Sequence, residues 1–121
     1  MITDAADFWQ SITNQTHAFF HGKQALWRLS LASNTAPLSP IDETLYEWGG
    51  ALRWVKSDAS RESLCPDGRL ENGHCSLFRT AGERDKVFQP MPPALLQLHR
   101  RLKHAFDPQG IFNIGRMYPE F

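Results

Sequence analysis

Two arginines set beside tryptophans are the residues of this chain best shaped to hold an anion: Arg28 follows Trp27, and Arg53 precedes Trp54. A guanidinium offers a planar fork of donors that matches a carboxylate through two parallel hydrogen bonds. The competing account is an arginine whose stem covers apolar surface while its head stays wet. His74 follows Gly73 and opens a short apolar run, where an imidazole either holds a ligand or satisfies a structural hydrogen bond. Other chemistry is sparse. There is no Gly-rich phosphate loop and no spacing that identifies a Ser/His/Asp arrangement, so no catalytic residue is assigned. His74-Cys75 lacks the four-ligand spacing of a zinc site, and no metal is expected.

Composition limits the classes further. The chain has 121 residues, 41% of them hydrophobic, with four Trp and eight Phe, which is enough apolar matter for one packed domain. Lys+Arg and Asp+Glu balance at 13 each. The basic excess that phosphate contacts demand is missing, so nucleic acid is not an expected partner. No apolar run approaches the roughly 20 residues that cross a bilayer, and no basic or apolar leader opens the chain. A soluble, cytoplasmic protein with no direct membrane insertion is expected. Cys65 and Cys75 do not make a disulfide framework; a bridge would need their Cα atoms within reach, and two free thiols are expected.

The elements that must position Arg28, Arg53 and His74 follow from periodicity. A first helix is predicted from a Thr3 or Asp4 cap, with Phe8, Ile12 and Phe19 on its apolar stripe and Gly22 as its stop. Residues 25–31 alternate as a strand, with Trp27, Leu29 and Leu31 pointing one way and Arg28 and Ser30 the other. A proline-bearing loop covers 33–40. Residues 46–55 read as a second strand with a glycine pair inside it, a sign of a bulge or close backbone approach. The 58–73 stretch is polar, carries a Pro66-Asp67-Gly68 turn and has room for a short helix. Residues 74–79 form a third strand and 80–89 a charged surface loop. Pro92-Pro93 opens a last helix with a Leu95, Leu98, Leu102, Phe106 seam. Arg100, Arg101, Lys103 and His104 at its end complement the helix dipole. Asp107-Pro108-Gln109-Gly110 then turns the chain. The expected fold is two-layer α+β, a small antiparallel sheet with helices on one face. The opposite, open face presents Arg28 or Arg53.

The tail carries the most specific signal. Asp107-Pro108, Gly110, Asn113 and Gly115, after a leucine-seamed basic helix, resemble the closing signature of the FAD-linked oxidases related to vanillyl-alcohol oxidase. Ile114 stands where that family most often has proline. Residues 25–29, the Glu47-to-Trp54 block, Gly73-His74 and residues 113–118 are similar, in this order, to the carboxyl-terminal half of the smaller FAD-binding subunit of bacterial glycolate oxidase. The similarity runs from Phe8 to Tyr118, and 65–72 falls outside it.

That resemblance implies a cap domain over a flavin whose main binding domain lies upstream, with tail residues 107–121 packing on that absent FAD domain. It implies oxidation of glycolate or D-lactate within a complex of two flavin subunits and an iron–sulfur subunit that delivers electrons to membrane quinone. By position it places Asn113, Gly115 and Arg116 at the cofactor, and Arg28, Arg53 and His74 at the substrate carboxylate. FAD belongs to the full-length subunit. The isolated chain is expected to be inactive, to bind FAD weakly or not at all, and to self-associate through its uncovered interface. The alternative is a non-catalytic ligand-binding or subunit-assembly domain on the same scaffold.

Overall fold

In the computed structural model, the described residues are 4–37, 43–65, 70, 72–82 and 87–121. The elements run α1 (Ala5–Thr13), β1 (Leu26–Ser30), β2 (Glu43–Glu47), β3 (Leu52–Lys56), α2 (Arg61–Leu64), β4 (His74–Arg79) and α3 (Pro93–Phe106). The strands form one antiparallel sheet in the order β2-β3-β1-β4. This is the expected two-layer α+β architecture. The Pro66-Asp67-Gly68 turn lies outside the described residues.

Alternation along β1 sorts the core into two clusters. Trp27, Leu29 and Leu31 pack with Val55, Leu64, Cys65, Leu70 and Cys75. Leu26 points the other way and packs with Ile12, Phe19, Phe20, Leu52 and Trp54. The second cluster is built by α1 and a following 3-10 turn at Ala18–Phe20. The Asp4 carboxylate caps α1 by accepting from the amides of Ala6 and Asp7. The helix ends at Thr13, earlier than its stripe suggests. Gln15 turns to φ 55°, so Phe19 and Phe20 reach the core from the 3-10 turn and not from a continuous helix.

The 46–55 stretch is not one bulged strand. It is a β2–β3 hairpin whose connection carries three successive positive φ values, at Trp48 (50°), Gly49 (61°) and Gly50 (92°). Glycine meets that demand without steric cost. A side chain at Gly50 would also meet the Ser33 carbonyl oxygen at 3.1 Å. The charged 80–89 stretch is likewise more than a loop. Phe88 bridges Ser76, Leu77 donates to the Val87 carbonyl, and Gln89 donates to the Cys75 carbonyl, adding a short rung outside β4.

α3 forms as the leucine seam indicates, yet none of its residues is buried. Leu95, Leu98, Leu102 and Phe106 are exposed, Phe106 at 82%. No described helix is long and apolar enough to cross a membrane.

Candidate functional site

The antiparallel register decides which candidate residues can meet. Directly opposed residues share a face. Arg28 opposes Trp54 on one side and Ser76 on the other, while Ser30 opposes His74. Arg28 and His74 therefore share the face that carries Leu26 and Trp54, on adjacent strands and diagonal to one another. Both are half-buried. Their proximity is felt electrostatically. Burial, then the positive charges of Arg28 and Arg61, hold His74 below the usual imidazole range, so it is neutral at neutral pH.

Arg53 is placed differently. It opposes Leu29 and Tyr46, so it leaves the sheet on the other face, and it is 3% exposed. Its Nε donates to the Gly50 carbonyl at 3.2 Å, and one terminal nitrogen donates to Ala36 at 2.9 Å. The other terminal nitrogen donates to the Thr35 carbonyl, and the guanidinium lies 5.2 Å from the Tyr46 ring centroid. All three nitrogens of the fork are spent on backbone, pinning the loop after β1 to the hairpin turn. Arg28, Arg53 and His74 do not converge on one face.

His74 is held by two devices. At Gly73 an added Cβ would come within 2.7 Å of the Ser30 carbonyl oxygen, so only glycine lets the chain press against β1 there. Gln89, 7% exposed, clamps the same segment. Its side-chain oxygen accepts from the amides of Leu70 (3.1 Å) and Cys75 (2.9 Å), and its nitrogen donates to the Gly73 carbonyl (2.8 Å). Nothing in the residue pattern singles out Gln89, because its partners are backbone groups brought near only by folding.

From His74 an aromatic chain leads outward. His74 lies 6.1 Å from Phe88, Phe88 5.9 Å from Tyr118, Tyr118 5.8 Å from Phe121, and Phe121 6.2 Å from His99 on α3. The Tyr118 hydroxyl anchors the run by donating to the Gln89 carbonyl at 3.1 Å. A groove of about 620 Å³ follows it, lined by His74, Gln89, Leu95, His99, Met117 and Tyr118.

The tail turn is organised by Asp107. Its carboxylate accepts from Lys103 and from the amides of Ile111 (3.1 Å) and Phe112 (2.9 Å). Lys103, then the Phe112 and Ile111 amides, hold its pKa down to about 2. Beyond it Asn113, Gly115 and Arg116 are all exposed. Asn113 adopts φ 50° and Gly115 φ 67°, the left-handed region that asparagine and glycine tolerate best. Ile111, Phe112, Ile114 and Met117 surround them, each more than half exposed. Among the described residues no group of three or more His, Cys, Asp or Glu side chains could hold a metal.

Fold and site together define a small antiparallel α+β domain with one cationic sheet face and one unburied apolar arm. The chain is 41% identical, over 116 residues and 96% of its length, to glycolate oxidase subunit GlcE of Escherichia coli (strain K12). This fits a carboxyl-terminal domain of a GlcE-like FAD-linked oxidase. The chain spans 32% of that relative's length. No family model matches the chain, and no solved structure matches it.

Proposed function

We propose that this chain is the substrate-side cap of a flavin subunit that oxidises glycolate, or a related 2-hydroxy acid, to the 2-oxo acid. The observation that carries this reading is the placement of Arg28 and His74 on one half-buried sheet face, where burial and the positive charge of Arg28 hold His74 below the usual imidazole range. A guanidinium orients the substrate carboxylate, and a neutral imidazole can accept a hydrogen bond from the adjacent hydroxyl. Fixing both groups aims the α-carbon at an electron acceptor. In the full-length subunit FAD would supply that acceptor.

The exposed tail suits such a cofactor chemically. An amide at Asn113 and a guanidinium at Arg116, set among apolar Phe112, Ile114 and Met117, match a flat ring with polar edges. These residues would meet it together with an upstream FAD domain against which 107–121 packs. The second flavin subunit and the iron–sulfur subunit are the partners this reading calls for, and their quinone acceptor brings the complex to the inner membrane.

The test is Arg28→Ala in the assembled complex. The KM for glycolate should rise about 10- to 100-fold with FAD content unchanged, and Arg28→Lys should recover part of it. Unchanged KM would remove Arg28 from the site.

A second reading is favoured by α3, whose whole leucine seam lies open. In it the domain is chiefly an assembly surface, and substitutions on the seam abolish complex formation before they touch KM.

A further inference from the structure

We propose that Cys65 and Cys75 are the two halves of a redox-closed crosslink, an internal disulfide that ties the end of α2 to β4. The inference is independent of the oxidase reading, because it concerns the core of this domain alone.

Both cysteines are free and neither has any exposed surface. They belong to one cluster, walled by Trp27, Leu29, Val55, Leu64 and Leu70. Cys65 is fixed at the end of α2 by its amide, which donates to the Arg61 carbonyl at 2.8 Å. Cys75 is fixed in the sheet opposite Leu29 and is held from the other side by the Gln89 side chain. The backbones on either side are thus set independently, and they bring the two thiols into one wholly buried cluster, close enough for each to shift the other's pKa.

Isolated buried cysteines behave as small inert hydrophobes. An apposed pair differs, because one thiol attacks and its neighbour resolves. The roles here are unequal. The hydrogen bond from Cys75, aided by the positive charge of Arg61, lowers the Cys65 pKa despite burial. The same contact and burial push Cys75 up. Arg61 acts on both thiols, its positive charge favouring either thiolate, and it is 6% exposed, with its guanidinium 5.8 Å from the Trp27 ring centroid and its Nε without a hydrogen-bond partner.

Cys65 is the attacking thiol. With oxidised glutathione as the oxidant, the Cys65 thiolate breaks the glutathione S–S bond and forms a mixed disulfide, releasing one glutathione thiolate. Cys75 then loses its proton to solvent and attacks the Cys65 sulfur, releasing the second glutathione. Two protein thiols become one disulfide and one glutathione disulfide becomes two thiols, so electrons and protons balance. Because the pair is buried, exchange proceeds through local opening, and the closed bond is shielded from reduction once formed. Cys75 adjoins His74, so closure would tether the chain that delivers His74 to the sheet.

The experiment exposes the native chain to oxidised glutathione at neutral pH, blocks remaining thiols, denatures and weighs the protein. The wild type should lose both thiols and become about 2 Da lighter, with no retained glutathione. Cys75→Ala should instead trap glutathione on Cys65, and Cys65→Ala should react at least several-fold more slowly. Two persistent thiols in the wild type would overturn the proposal, as would a stable glutathione adduct or a crosslink between chains.

Discussion

Arg28 and Arg53 stand one register step apart on adjacent strands, yet their side chains leave opposite faces of the sheet, because Arg28 opposes Trp54 and Arg53 opposes Leu29. One face leaves its guanidinium half-buried beside a histidine. The other spends it on three carbonyls. The two residues should therefore separate cleanly in a substitution experiment. Arg53→Ala should lower stability by about 2–4 kcal/mol, since buried carbonyls lose charged donors. Arg53→Lys should recover little, because an ammonium cannot span the same acceptors. Chemical denaturation measures the first effect, and steady-state KM in the assembled complex should stay within about twofold where Arg53→Lys folds. A large KM change with stability intact would return Arg53 to the substrate.

The Gln89 clamp should be equally sensitive. Gln89→Leu keeps the volume but leaves the Leu70 and Cys75 amides without their acceptor and the Gly73 carbonyl without its donor. Buried unsatisfied backbone groups cost about 1–3 kcal/mol each, so a loss of about 2–4 kcal/mol is expected after partial relaxation. Urea denaturation reports it. Gln89→Glu keeps the acceptor but, when ionised, sets a buried negative charge against the Gly73 carbonyl oxygen, so its stability should recover toward wild type only as the pH is lowered enough to protonate the carboxyl. Wild-type stability in Gln89→Leu would show that water replaces the amide.

The strands at 26–30 and 74–79, the last helix and the Asp107 turn are legible from periodicity and turn chemistry, because each is specified by near neighbours in sequence. The hairpin is harder. Tyr46, Leu52 and Trp54 read as strand on both sides of Gly49-Gly50, and a glycine pair inside such a run also suits a reversal, which only the pairing of Tyr46 with Arg53 and Leu45 with Trp54 reveals. Side-chain direction is legible within one strand, so Arg28 falls correctly opposite to Trp27. The relative face of Arg28 and Arg53 depends on register between strands, which their own sequences do not encode. Gln89 was hidden for a related reason: its partners lie at residues 70, 73 and 75, and nothing local marks it.

Asp107 offers a test by pH. Its folded pKa of about 2 lies below the ordinary 3.8, so the ionised form stabilises the tail turn. That contribution is present above the ordinary value and is lost as pH falls through about 2. Backbone amide shifts of Ile111 and Phe112, which donate to this carboxylate, should follow a midpoint near the lower value. In Asp107→Asn the same amides should show no acid transition. A midpoint at the ordinary value would mean that Lys103 and the amides do not hold the carboxylate in solution.

The unburied arm should make the isolated chain sticky. Leu98 is 52% exposed and Leu102 55%, and the seam continues through Phe106 onto Ile111 and Phe112. Contiguous apolar surface of this kind marks an interface, and an uncovered one finds itself when no other partner is present. Leu98→Glu with Leu102→Glu places two charges on the seam where no core packing is disturbed, since α3 has no buried residue. Light scattering should show the wild-type chain associating as concentration rises and the double variant remaining monomeric, with the same thermal midpoint for both when dilute. On the proposed reading of a flavin-subunit cap, the same pair in the full-length subunit should weaken packing of the tail on the FAD domain that reading calls for, read as loss of bound FAD with KM for the substrate little changed. A wild-type chain that stays monomeric at high concentration would show that the seam is not an interface with itself. FAD retention in the double variant would show that α3 is not part of the cofactor domain's contact.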